Sequence, residues 1–430
     1  MNNTRLFKKS LLAVTIATAT IASQPALSAG FQLNSQSATG LGRAFAGDAV
    51  IADNASVMAR NAAAMTLFDS NQFSGGVNYI GTDIEVKDPV VGGSVPIDGA
   101  NNTSDSFVPN IYYIHRINDK FAVGAGIYSN FGTNNNFDDN FGSFDSQTPL
   151  GRVHTGASAF GGTTEIESIN YTLNAAYRIN EQWSIGGGLD IVQGSGKLIR
   201  TVKATDTNPS SPTFGQTSST DVLNIDADGI GFGFNLGTVF ELDENNRFGL
   251  AYHYQPEIEA EGSFSGTTGQ FVDKLYLSLP DMVEFSGFHK IENTKFAVHY
   301  SLQWIEWSTF DTLDGNTAAG RTQLSEYKWQ DGWHAAIGGT YYLNDNWTLR
   351  AGYMYDTAAQ DSITSISVPD SDRQWFSFGT GYSFDKHHTV DFGFTYLLGQ
   401  DVAVNEGSGT LTATTHADAI LAGLQYSYSF

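Results

Sequence analysis

The final eleven residues constrain the fold more than any other stretch of the chain. Ile420, Ala422, Leu424, Tyr426, Tyr428 and Phe430 fall on one face of an extended strand, and Leu421, Gly423, Gln425, Ser427 and Ser429 on the other. Such period-2 alternation marks a strand with one apolar face. A soluble sandwich would need a second sheet to cover that face, and it gives no reason for an aromatic at the very last position. A lipid-facing strand that ends in an aromatic girdle accounts for both. The same alternation recurs from about residue 70 onward.

A helical route through a bilayer needs about 20 consecutive apolar residues. The longest apolar run, Leu11 to Ala22, is too short, and Arg5, Lys8 and Lys9 precede it. With Ala26-Leu27-Ser28 behind it, this is the pattern of a cleaved secretory signal: residues 1–28 are expected to be removed and the mature chain to start at Ala29. A membrane protein without spanning helices must be a closed barrel, because only helices and barrels pair every backbone group inside lipid.

The strands can be counted from their connections. Six short polar segments stand between alternating runs: 118–120, 180–182, 243–246, 292–294, 344–346 and 385–387, each rich in the Asn and Asp of tight turns. Seven longer polar or Gly-rich stretches lie between them, near 87–106, 131–162, 203–220, 263–270, 308–332, 357–372 and 404–416. Thirteen connections join 14 strands, an even number, with short turns on the periplasmic side and long loops outside. A barrel of this size has a lumen that its own wall side chains do not fill.

Composition removes other classes. The net charge of -23 repels a phosphate backbone and excludes nucleic-acid binding. Acids such as Asp138, Asp139, Asp145 and Asp206 fall in loop-like stretches, where they are solvated or contact lipopolysaccharide and its divalent cations. With no Cys there is no thiol nucleophile or thiolate metal site, and no metal or cofactor is expected. Neither a Gly-x-Ser-x-Gly elbow nor a His-Glu-x-x-His pair is present, which argues against an outer-membrane hydrolase.

Residues 29–70 lack sustained alternation yet carry Ile51, Val57, Met58, Met65, Leu67 and Phe68, too many apolar side chains for a disordered tail. They read as an N-terminal plug, with residues 71–430 as the barrel. Here the chain also resembles a known family. The mature start AGFQLN, then GLGRAFAG, IADNAS and RNAAAMTLFD, and later LSLPDMVEFSGF, HYSLQW, YYLNDNWTLRAGY and SISVPDSDRQWFSFGTGYSF, are similar in order to the FadL family of outer-membrane long-chain fatty-acid transporters. The resemblance implies a monomeric 14-stranded barrel closed by an N-terminal hatch. It also implies an external hydrophobic groove, a deeper pocket, and sideways exit through a kink in the third strand.

Carried over by position, Arg200 matches the headgroup contact, Phe31 the hatch aromatic that reaches the pocket, and Gly132 the kink. Each also has a plain structural alternative: a paired lumen Arg, plug packing, a glycine at the start of a loop. Asn61 matches the first residue of an Asn-Pro-Ala hatch motif, but Ala62 replaces the proline. Gln330 stands where the family has a second cation, and Lys328, two residues away on a strand, would share its face and could substitute. Phe137 and Phe141 offer apolar loop surface for capture, or else loop core. The expectation is an all-β, 14-stranded antiparallel transmembrane barrel of the bacterial outer membrane that takes up long-chain fatty acids. Its partners would be outer-membrane lipid and the barrel assembly machinery, which a terminal Phe resembles a signal for. Alkanes or aromatic hydrocarbons are the alternative cargo.

Overall fold

The computed structural model describes residues 30–430, apart from 139–140, 142–143, 149–150, 156–159, 207, 267–271, 318–319, 362 and 408. The signal-peptide reading and Asp139 therefore lie outside the described residues, as does the side chain of Asp145.

Fourteen antiparallel strands close on themselves. The first, β1 (Gln72–Val91), pairs on one side with β2 (Ala100–Arg116) and on the other with the last, β14 (Leu411–Ser429), in register from Gln72 opposite Ser429. Between them run β3 (Phe121–Tyr128, resuming at Gly132–Asn136), β4 (Thr163–Arg178), β5 (Trp183–Asp206) and β6 (Thr217–Glu241). Strands β7 (Asn246–Tyr254 and Glu257–Gly266), β8 (Val272–Ser278 and Met282–Lys290), β9 (Phe296–Ile305 and Thr312–Thr317) and β10 (Gly320–Glu326 and Gly332–Tyr342) follow, each in two pieces. β11 (Trp347–Asp356), β12 (Arg373–Ser383) and β13 (His388–Gly399, continued by Val402–Glu406) complete the wall.

All six short turns stand where the sequence places them, and a repeated device explains five of them. The side-chain oxygen of Asn118, Asn180, Asp243, Asn344 or Asp385 accepts the backbone N–H groups two and three residues on, at 2.7–3.0 Å. An Asx turn of this kind satisfies the donors that the strand ladder leaves over. Aromatic pairs bracket these turns: Trp183 with Phe240, Phe296 with Tyr341, and Trp347 with Tyr382, centroids 4.6–4.7 Å apart. The long loops differ from expectation. Polar stretches read as loops are largely strand: β1 runs to Val91, β5 to Asp206, and 312–317 pairs with 320–326. Ladder hydrogen bonds need no apolar side chains, so the strands continue past the lipid into water.

Outward-facing Ile420, Leu424, Tyr426 and Phe430 are exposed while Leu421, Gln425 and Ser427 are buried, so the terminal strand shows lipid the face that its alternation assigns. The residues that bury the inner face come from the N-terminal segment. Residues 30–66 are almost wholly buried and contact β1 to β6, β12, β13 and β14 through three short turns of helix. These are α1 (Ala38–Leu41) and two 3₁₀ pieces, Ala55–Ala59 and Ala62–Leu67, capped by Ser37, Asn54 and Asn61. The segment is rich in Ala and Gly because its backbone lies directly on the wall. A Cβ at Gly379 would stand 2.7 Å from the Gly42 Cα, and Gly186 and Gly237 leave the space that Ala63 and Asn61 occupy. Ionic contacts fix the same segment sideways: Arg43 with Asp48 (2.6 Å) and Asp53 (2.8 Å), and Arg350 of β11 with Asp53 (3.4 Å) and Asp391 of β13 (2.8 Å).

Candidate functional site

Two irregular segments build the floor of a pocket. β9 breaks at 306–311 and β10 at 327–331, and each break turns aromatics inward: Trp307 and Phe310 from one, Tyr327 and Trp329 from the other. The breaks brace each other, since the Tyr327 and Lys328 N–H groups both donate to the Asp311 carbonyl. Phe31 enters this cluster from the N-terminal segment, edge-on to Trp307 at 4.7 Å and Phe310 at 5.4 Å and tilted on Trp329 at 5.7 Å. Gly30 before it has φ +62°, and any Cβ there would meet the Trp329 and Trp307 rings at 2.6–2.8 Å, so only glycine lets the chain pass.

Above the floor, Ile166, Leu198, Ile258, Leu275, Leu277 and Leu313 line a narrow apolar pocket. Arg200 closes its outer end. Its guanidinium donates to the carbonyls of Thr163 (2.6 Å) and Ile199 (3.0 Å) and to the Thr164 hydroxyl (2.7 Å), which fixes the fork while leaving other donors for a ligand. Beyond it, half-buried Leu223 and Phe264 extend the apolar cluster toward the loops.

The floor also touches a break in the wall. The first piece of β3 pairs with β4 as far as Tyr128 opposite Asn170, and pairing resumes with Gly132 opposite Glu167. On its other side β3 pairs with β2 only from Ile111 to Arg116, although β2 continues its ladder with β1 up to Ala100. Above Ile111 the register between β2 and β3 therefore ends, and side chains such as Asn102 and Asn135 bridge the gap instead. The N-terminal segment seals it from inside: Leu33 N–H donates to the Asn130 carbonyl (2.6 Å), Gly132 N–H to the Phe31 carbonyl (2.8 Å), and Gln32 bridges Phe131. Phe131 in turn rests on Phe31 and Trp307.

The structure brings together Arg200, Phe31 and Gly132, at the two ends of the pocket and at the break. Gly132 is buried but does not have left-handed backbone; the irregular residues are Ser129–Phe131 just before it. Asn61 caps its 3₁₀ turn without the family proline, and its amide donates to the Ala49 carbonyl (2.8 Å) and to Thr238 of β6 (3.0 Å). Lys328 is a correction. Its φ of +50° breaks the alternation on which the shared face depended, so its ammonium lies outside, paired with Glu326 at 2.9 Å, while Tyr327 and Trp329 face the pocket. Gln330 is exposed as well and donates to the Ala358 carbonyl. Phe137 and Phe141 offer no capture surface: they stack at 5.1 Å in a buried cluster with Val86, Ile366, Val404 and Leu411. Trp307, Phe310, Tyr327 and Trp329 escaped the sequence reading; their clustering in WSTF and YKW within a polar stretch was the available signal. Among the described residues no group of three His, Asp or Glu side chains is placed to hold a metal ion.

The family model described as outer membrane protein transport protein (OMPP1/FadL/TodX) matches residues 19–430. The chain belongs to that family. It is 37% identical over 460 residues, spanning all of both chains, to the long-chain fatty acid transport protein of Salmonella typhi. It is 35% identical over 454 residues, again end to end, to a 47 kDa outer membrane protein of Pasteurella multocida. Among solved structures, a Pseudomonas aeruginosa FadL homologue superposes with a TM-score of 0.80 at 22% identity, covering 94% of this chain and all of that one. The Pseudomonas putida toluene transporter TodX gives 0.62 at 20%, covering 87% and 94%. This member of the OMPP1/FadL/TodX family is accordingly an outer-membrane protein, and its 14-stranded wall is the family's fold.

Proposed function

We propose that this protein passes long-chain fatty acids inward across the outer membrane without an energy source, as a single chain. The ligand is captured at the loop mouth near Leu223 and Phe264, held in the pocket with its carboxylate at Arg200, and released sideways through the break in β3. One observation carries the reading: Phe31 is at once part of the pocket floor and, through its carbonyl, part of the hydrogen bonding that seals the break. A ligand that needs Phe31's space must disturb the seal, so occupancy and opening are coupled by geometry. The name of the Salmonella relative supports a fatty acid as cargo.

A second cargo has its own support. The pocket holds one cation, Arg200, already fixed by three hydrogen bonds, and Lys328 and Gln330 turn away, so little rewards a carboxylate over a plain hydrocarbon. The TodX likeness fits that reading. Calorimetric binding of oleate and of the matching alkene to the purified barrel separates the two. A clear preference for oleate supports the fatty-acid reading, equal affinities favour the hydrocarbon, and binding of neither overturns both.

A further inference from the structure

Beneath the aromatic floor lies a second, small polar pocket, lined by Gln32, Gln36, Arg60, Asn130, Glu284 and Gln303 among others. Arg60 is its centre. One guanidinium nitrogen donates to both Asn34 Oδ1 (3.0 Å) and Gln36 Oε1 (2.9 Å), and the other faces Glu284 of β8 at 3.3 Å. The guanidinium lies over the Phe45 ring, and the Arg60 carbonyl meets His253 Nε2 of β7 at 2.9 Å. Arg60 is thus held by the wall strands β7 and β8 while it grips the residues that follow Phe31.

What it grips reaches the break. Gln36, oriented by Arg60 through its oxygen, has its amide nitrogen free to donate, and it donates to Asn130 Oδ1 (2.8 Å) and the Leu33 carbonyl (2.9 Å). Asn130 is the residue whose own carbonyl receives Leu33 N–H. Asn34 and Gln36 are buried, at 2% and 4% exposure, and so is Asn130 at 3%, so these bonds are not diluted by bulk water. With Asn34, Gln36 and Glu284 already on its two terminal nitrogens, Arg60 is no second headgroup site. It orients two amides, one of which is tied to the broken strand.

We propose that Arg60 is the positioning residue of the gate: through Asn34 and Gln36 it holds residues 31–36 against the β3 break, and the Gln36–Asn130 bond is the link that yields when the gate opens. The inference rests on the transport reading above for its purpose, though not for its geometry. Gln36–Asn130 is a neutral hydrogen bond, weaker than the charge-assisted contacts that Arg60 makes, so it is the link that yields first. The forked contact is specific to arginine, since a lysine ammonium is a single point that cannot span both amides while facing Glu284. A clamp on the closed state also opposes ligand binding, because affinity is reduced by the fraction of molecules not yet competent.

The test uses the full-length barrel in lipid nanodiscs, as wild type, R60K and Q36L. Amide hydrogen exchange is read at Leu33 and Gly132, whose N–H groups join segment and wall, and at Val192 inside β5 as control. Both variants should exchange at least about five-fold faster at Leu33 and Gly132, since one net hydrogen bond corresponds to about five-fold and each variant disturbs more than one, with Val192 unchanged. Oleate should bind Q36L about five-fold more tightly, a gain that mere damage to packing would not produce. Unchanged exchange at both amides overturns the proposal. So does acceleration that includes Val192, because it would make Arg60 an ordinary structural residue. Should wild type bind no oleate, the transport reading fails while the exchange result still decides the latch.

Discussion

At the scale of single residues, the pocket's chemistry turns on how little polarity it contains. Arg200 is the one guanidinium on its lining, and a carboxylate seated there gains a charge-assisted bond in a site walled by Ile and Leu. Such bonds contribute about 1.5–3 kcal/mol, so Arg200→Ala should weaken oleate binding roughly 10- to 100-fold and leave the matching alkene nearly unchanged. Calorimetry on both ligands reads this directly, and equal losses would remove the headgroup role. Arg200 was legible in the sequence only through its family resemblance, since an Arg in a strand is as readily a paired lumen residue. Lys328 was not legible, because period-2 reasoning assumes regular backbone and this residue's positive φ turns its side chain out. Arg60 carries no sequence signal beyond standing next to Asn61; its partners Asn34, Gln36 and Glu284 are distant in the chain and meet only when the lumen is filled.

Among the elements, the strands that build the pocket and the proposed exit are the irregular ones. Regular strands announce themselves by alternation, and the six short turns by their polar residues, five of them Asx turns, so the wall and its strand number could be read from residues alone. Interruptions have no such period. Pro256 and Pro280 mark two of them, as residues without an N–H for the ladder, but Ser129–Phe131, 306–311 and 327–331 contain nothing that forbids a strand. They deviate because inward aromatics and the N-terminal segment compete successfully for their backbone, as the Leu33–Asn130 and Phe31–Gly132 bonds show. Gly132 lies opposite half-buried Glu167, which puts any side chain added there at the mouth of the gap. Gly132→Trp should therefore lower fatty-acid transfer into the surrounding bilayer by about ten-fold while pocket affinity changes by less than about three-fold, as expected when a path closes but the site survives. Parallel liposome-transfer and binding assays check it, and undiminished transfer would count against exit at this break.

For the whole molecule, the question is why a filled barrel should release its cargo sideways, as the proposed route requires. An acyl chain delivered to water must hydrate each methylene at about 0.8 kcal/mol, whereas release through the wall keeps those groups in an apolar phase throughout. A downhill path therefore exists only if the lumen is blocked to water and the wall is open to lipid. The N-terminal segment supplies the block: it touches strands from most of the circumference, its backbone lies on wall glycines, and Asp53 ties it to Arg350. It contributes none of the 14 strands, whose ladder closes from β1 directly to β14. Removing residues 30–66 while keeping residues 1–29 should then leave a folded barrel, seen by its resistance to unfolding on gels, with an aqueous lumen where the segment was. In planar bilayers the wild type should conduct scarcely at all and the deletion should show steps of a water-filled pore, because 14 strands enclose more space than their own side chains fill. A folded deletion variant that stays as tight as the wild type would mean that the wall, and not the segment, blocks the route.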